Sequence, residues 1–238
     1  MTVVEVTGLV KDYRGLRPLR LGSLRLSEGE RVAISGLDAT AAEVLVNLLN
    51  GAIVPDQGQV RILGRVTAEI ENENGWLEFL NHFGIVTPRA VLLPASTVQQ
   101  NLALPFTLAI DELPPDVDRR TRDLARLTGI EDRWLGQVMV EAPAAVHVRV
   151  HLARALALGP EILLLEHPTA QIDPADVRAF ATTVRDVALA RRLTLLALTE
   201  DRVFADVVAE RAYRLQPGTG ALTGARGWQS WFAPRRAC

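Results

Sequence analysis

Apolar and polar residues alternate at the start of the chain. Val3-Val4-Glu5-Val6 reads as a strand. After a turn at Arg14-Gly15 the period of two returns in Leu19-Arg20-Leu21 and Ser23-Leu24-Arg25-Leu26. A second turn, Ser27-Glu28-Gly29-Glu30, leads into the short apolar strand Arg31-Val32-Ala33-Ile34-Ser35, which ends at Gly36. From about Ala41 the period changes. Val44, Leu45, Leu48 and Leu49 fall at helical spacing, and Gly51 supplies the stop. Pro55-Asp56-Gln57-Gly58 is a turn before the strand Gln59-Val60-Arg61-Ile62-Leu63.

Residues 115–158 predict mainly helix, most clearly from Arg119 to Leu127 and from Val148 to Leu158, before Gly159-Pro160 stops the chain. Ile162-Leu163-Leu164-Leu165 and Leu193 to Leu198 are continuous apolar runs, as in strands covered on both faces of a parallel sheet. Ala175 to Arg191 between them is an amphipathic helix, and Tyr213-Arg214-Leu215 with Ala221-Leu222 suggests a closing hairpin. The order is a β-rich start, strand–loop–helix, a helical insert, then strand–helix–strand. That order predicts an α/β protein with a mostly parallel sheet.

Composition narrows the function. The chain has 238 residues, enough for a sizeable core without disulfides or a structural metal. Its net charge of −2 provides no broad basic face for a nucleic-acid backbone and no polybasic membrane anchor. The single cysteine, Cys238, excludes disulfide frameworks and Cys-based zinc sites. MTVVEVTGLVKDY lacks the basic start and apolar run of a signal peptide. The longest uncharged stretch, Ala90 to Ile110, carries Pro94, Pro105 and Gln99-Gln100-Asn101, which a membrane span does not tolerate. A soluble, cytoplasmic protein is expected. Of 26 basic residues only Lys11 is a lysine, so chemistry that needs a lysine has one address.

Gly36 closes a strand just before a helix, where backbone N–H groups and a helix N-terminus can cradle an anion. The pattern G-x-x-x-x-G-K-[ST] would place Gly, Lys and Ser or Thr at positions occupied by Ala41, Ala42 and Glu43. By itself this loop does not read as a nucleotide site.

Its surroundings change that. Lys11-Asp12-Tyr13-Arg14-Gly15, the approach Glu28 to Gly36, Leu48-Leu49-Asn50-Gly51, Pro55 to Val60, Thr97 to Pro105, Leu152 to Leu156, Gly159 to Leu165, and Pro168-Thr169-Ala170 with Ile172-Asp173 follow one another in a specific order and spacing. Together they resemble the ATP-binding subunits of ABC transporters, nearly end to end. The resemblance implies the ABC nucleotide-binding domain of the P-loop NTPase class. Its core would lie at about 1–87 and 159–238, with a helical subdomain at about 88–158 and an antiparallel β part at the N-terminus. It also implies ATP as ligand, with Tyr13 stacking on adenine and Gly36, Asp38, Thr40, Ala42, Glu43 and Val44 in the phosphate loop. A separate membrane permease, docked near Pro88 to Pro105, and a second nucleotide-binding subunit would be partners, placing the chain on the inner face of the cell membrane.

The departures from the family pattern are systematic. Ala42 replaces the loop lysine and Glu43 the Mg-binding hydroxyl; the Q-loop glutamine falls on Pro88; the signature falls on Ala142-Pro143-Ala144-Ala145-Val146. Glu166 stands for the Walker B aspartate, His167 for the catalytic glutamate, and Glu200 for the switch histidine. A charge-assisted hydrogen bond to phosphate contributes about 1.5–3 kcal/mol, so losing the lysine alone weakens binding roughly ten- to a hundredfold. The expectation is therefore weak ATP binding without Mg²⁺, no catalytic residue, and a structural or regulatory subunit unable to hydrolyse ATP. A weak ATPase using Glu166 for Mg²⁺ and His167 as base, and an adaptor with no transporter attached, remain as alternatives.

Several residues carry a bland reading beside the functional one. Tyr13 is a packed surface aromatic or a stacking platform. His147 and His151 lie one helical turn apart without a third ligand, which favours solvated histidines over a metal site. Trp228, Trp231 and Phe232 are a packed tail or a docking patch. Glu43 is expected in the first turn of its helix, filling the anion place from within, with Asp38 beside it. The rival for that corner is a cation held by Asp38, Glu43 and Glu166.

Overall fold

A computed structural model describes residues 1–70 and 72–224. Two sheets organise it. The first is antiparallel, with β1 (Thr2–Lys11) between β2 (Leu19–Ser27) and β4 (Gln57–Ile62), and with β5 (Arg65–Val66) at its edge. The second contains β3 (Arg31–Ser35), β6 (Phe83–Val86), β7 (Ile162–Glu166), β8 (Thr194–Leu198), β9 (Arg211–Gln216) and β10 (Ala221–Gly224), in the order β10-β9-β3-β8-β7-β6. Every pairing in it is parallel except β9 with β10, the predicted hairpin.

The central strands are buried on both faces, as their apolar runs require. Alternation divides them between two cores. Ala33, Leu163, Leu165, Leu195 and Ala197 face one cluster, while Val32, Ile34, Ile162, Leu164, Leu196 and Leu198 face the other. The second cluster also takes the inner residues of β1, β2 and β4. Helix α1 (Ala39–Leu49) fills the space between the sheets with Ala42, Leu45, Leu48 and Leu49.

Four helices lie between β6 and β7 in the chain: α3 (Val98–Ala103), α4 (Pro115–Leu127), α5 (Asp132–Leu135) and α6 (Ala144–Leu156). They share the first core with α7 (Pro174–Arg191) and α8 (Arg202–Val208). The remaining helix, α2 (Glu73–Leu80), covers the edge of the second core with buried Phe79, and its N-cap Asn72 accepts from Gly75 N–H. The patterning left α2, β6, α3 and α8 without an assignment. Within the mainly helical stretch 115–158, α6 runs from Ala144 to Leu156, so it begins four residues before its clearest apolar pattern at Val148. Gly84 shows why β6 is hard to see: a Cβ there would lie 2.5 Å from the Ala155 carbonyl oxygen, so the strand carries a glycine to let α6 approach.

Among the described residues no helix is long and apolar enough to cross a membrane. Trp228, Trp231, Phe232 and Cys238 lie outside the described residues.

Candidate functional site

The site forms where β3, β7 and β8 end and α1 begins. Gly36 leaves β3 at φ 89°, and a Cβ there would lie 2.5 Å from the Leu215 carbonyl oxygen, so both conformation and space require glycine. Asp38 is extended and caps α1, accepting from Ala41 N–H at 2.8 Å. With that cap the helix begins at Ala39, and Glu43 falls in its second turn. The expectation that Glu43 fills the first turn is corrected: a competent N-cap upstream started the helix early.

Glu200, just beyond β8, takes part of that role. Its carboxylate accepts from Gly36 N–H at 2.5 Å. One N–H of the loop, Gly36, and one of the first turn of α1, Ala41, are thus engaged by the side chains of Glu200 and Asp38. Thr40 is exposed, Ala42 is fully buried, and Val44 is buried in the core behind the loop.

Tyr13 reaches the loop. Its hydroxyl is held above the ordinary tyrosine range, first by burial and then by the charge of Asp38. The ring lies over Gly15, where a Cβ would sit 2.5 Å from it, and packs on the edge of the second core. Lys11 is two residues away, but its ammonium bonds Asp56 at 2.8 Å.

The acidic corner contains a residue that the sequence reading missed. Glu166 ends β7 with a side chain 0% exposed, and both of its oxygens accept from Arg89. The second of these bonds is Nη2 to Oε2 at 2.8 Å. The same guanidinium lies 3.3 Å from Glu43. Asp38 is turned to Ala41 instead, so the proposed trio of carboxylates does not assemble. No group of three or more His, Cys, Asp or Glu among the described residues can hold a metal ion. Arg89 had one sequence signal, its place directly after Pro88 as the last charge before a long uncharged stretch. Its partner is 77 residues away.

His167 follows Glu166 in a left-handed conformation, φ 39°, which strains a residue other than glycine. Its N–H donates to the Leu198 carbonyl at 2.8 Å, and its ring Nε2 is buried with no partner among the described residues. At the signature position Pro143 is the N-cap of α6 without a side-chain bond, and Val146 is buried. Asp173 caps α7 by accepting from Ala175 N–H.

His147 and His151 are not simply solvated, as the pattern suggested. His147 Nε2 lies 2.8 Å from the Met139 carbonyl oxygen, and His151 Nδ1 is buried without a partner among the described residues. Burial, with smaller contributions from Arg154 and His147, pushes the His151 pKa down to about 4.

Comparison with known proteins agrees with this geometry. The sequence profile of the ABC transporter family matches residues 19–170. The chain is 28% identical to the L-cystine transport system ATP-binding protein TcyN of Escherichia coli over 230 residues, covering 94% of this chain and 91% of that one. It is 28% identical to the ABC transporter ATP-binding protein YtrE of Bacillus subtilis, with 78% and 79% covered. Among solved structures, cbiO1 from Clostridium perfringens, part of the ABC transporter complex cbiONQ, aligns with a TM-score of 0.79 at 22% identity, covering 94% of this chain and 88% of that one. A dimeric post-hydrolysis state of the ATP-binding cassette MJ0796, bound to ADP and Pi, aligns at 0.76 and 23% identity, with 94% and 99% covered. The order of strands, the loop after β3 and the family match together place this chain in the ABC transporter family, with the fold of its ATP-binding cassettes.

Proposed function

We propose that this chain is a hydrolysis-deficient nucleotide-binding subunit of an ABC transporter complex, structural or regulatory beside a separate permease. One observation carries the reading: the groups that would meet ATP are either replaced or already engaged by the protein. Ala42 provides no cation for the phosphates, Glu200 holds Gly36 N–H, and Glu166 is bound on both oxygens by Arg89. Phosphoryl transfer depends on positioning and charge stabilisation, and these side chains supply neither to a phosphate.

The residues present do not suit Mg²⁺, because a cationic side chain stands between the two carboxylates that would face it. ATP binding then rests on stacking against Tyr13, worth about 1–3 kcal/mol. The weak-ATPase alternative needs Glu166 free for a metal and His167 open to water, and the geometry favours neither.

The names of the relatives support a transporter partner. TcyN belongs to an L-cystine transport system, and cbiO1 is part of a transporter complex. We place the permease against the insert at 88–158, where a groove of about 580 Å³ is lined by Gln99, Gln100, Asp111 and Asp118 among others. That docking would hold the chain at the inner face of the membrane. A second nucleotide-binding subunit completes the assembly, paired through the partner rather than by ATP.

The test is phosphate release from the complex purified in detergent, with the parent chain and with His167→Ala. Equal turnover, set entirely by the partner subunit, is expected. Turnover that disappears with His167→Ala while the complex stays assembled would sink the reading.

A further inference from the structure

The charged corner at Arg89 has a consequence for ligand choice. We propose that Arg89 is the resident cation of this pocket, occupying the place between Glu43 and Glu166 that a divalent metal would need and so excluding it. This deepens the reading of a pocket that works without Mg²⁺. Its test uses metal alone, so it can fail while the transporter reading stands.

Glu166 sets the requirement. A carboxylate with no solvent contact requires a counter-charge and hydrogen bonds to both oxygens. A planar guanidinium supplies both from one group, and Arg89 does so with Nη1 and Nη2. Nη1 also meets Glu43, 3.3 Å away on the second turn of α1. Two carboxylates from different elements thus converge on a single cation. Mg²⁺ is commonly held by one or two carboxylates with water completing its shell, so this pair meets the minimum for a metal and is filled by protein instead.

The filling is built in. Arg89 N–H donates to Thr87 Oγ1 at 3.3 Å, and Ala90 N–H to the Thr87 carbonyl at 3.2 Å. Downstream, Arg154 donates to the Val91 carbonyl at 2.7 Å, and the Asn101 amide bonds Leu93 at both N–H and carbonyl. The segment from Thr87 to Leu93 is therefore pinned at several points, which presents the guanidinium to the carboxylates without a large ordering cost. The other nearby acids do not compete for it: Asp38 faces Ala41 N–H and Glu200 faces Gly36 N–H.

The experiment is Mn²⁺ binding to the full chain, followed by electron paramagnetic resonance, with Mg²⁺-dependent melting as a second readout. Arg89→Gln removes the charge but keeps an N–H donor for Glu166; Arg89→Lys keeps the charge. The Arg89→Gln chain should take up one Mn²⁺ beyond the parent and melt higher in Mg²⁺. Both gains should vanish when Glu43→Gln is added, and Arg89→Lys should behave as the parent. The proposal is overturned if the parent binds Mn²⁺ in a way that Glu43→Gln abolishes, or if folded Arg89→Gln gains none. Should Arg89→Gln fail to fold alone, recovery of the fold in Mn²⁺ supports it. Failure with and without metal overturns it, because metal then does not replace the guanidinium.

Discussion

At the residue scale, acidic side chains accept from two backbone N–H groups near the start of α1, Glu200 from Gly36 and Asp38 from Ala41. Asp38 is a true N-cap, whereas Glu43 forms a half-exposed pair with Arg89. Their substitutions should differ accordingly. Asp38→Ala should cost about 1 kcal/mol of stability, and Glu43→Ala between about 0 and 1, since exposed pairs contribute little. Chemical denaturation measures both, and a larger loss for Glu43→Ala would contradict the assignment of the cap. His151 makes a separate prediction. Its pKa is about 4 in the folded chain against an ordinary 6.5, so the unfolded chain binds more protons between these values. Stability is therefore full above about pH 6.5 and falls as the pH drops toward about 4. The loss should be on the order of 2 kcal/mol, less than the full shift implies because the ring keeps some solvent contact. Denaturation curves of the parent and His151→Leu from pH 7 down to pH 5 test this; parallel pH dependence would contradict it.

At the element scale, what was legible in the sequence follows from how locally each element is determined. β7 and β8 announce themselves as continuous apolar runs, and α1 and α7 as periodic ones; the structure adds their N-caps, Asp38 and Asp173. β6 was not legible, because Gly84 is fixed by the approach of α6 and not by strand propensity. α2 begins with Glu-Asn-Gly, which reads as a turn until Phe79 finds its pocket in the second core. The place of Arg89 after Pro88 did not reveal it as a site residue for a similar reason: its meaning depends on Glu166 at the end of β7, 77 residues away. The order strand, Gly36, helix was readable because each piece is set locally. Which side chain fills which place is decided by tertiary contact. One element carries a correctable flaw. Arg192 ends α7 in a left-handed conformation, φ 54°, which a glycine adopts without penalty. Arg192→Gly should raise stability by about 0.5–1 kcal/mol; a drop in melting temperature would show that the arginine side chain contributes more than its backbone costs.

At the scale of the whole molecule, the chain has the scaffold of an ATP-binding cassette, and on the function proposed above its own side chains stand in the places of ligand and metal. The two cores, the six-stranded sheet and the helices between β6 and β7 do not depend on nucleotide for their packing, since their contacts are apolar and internal. On the proposed function, the pocket has lost its grip on phosphate and on Mg²⁺. Isothermal titration calorimetry of the purified chain with ATP, ADP and adenosine, each with and without Mg²⁺, tests it most directly. Weak binding of similar strength is expected for all three, unchanged by Mg²⁺, with stacking on Tyr13 as the remaining contribution. A micromolar, Mg²⁺-dependent preference for ATP would contradict it.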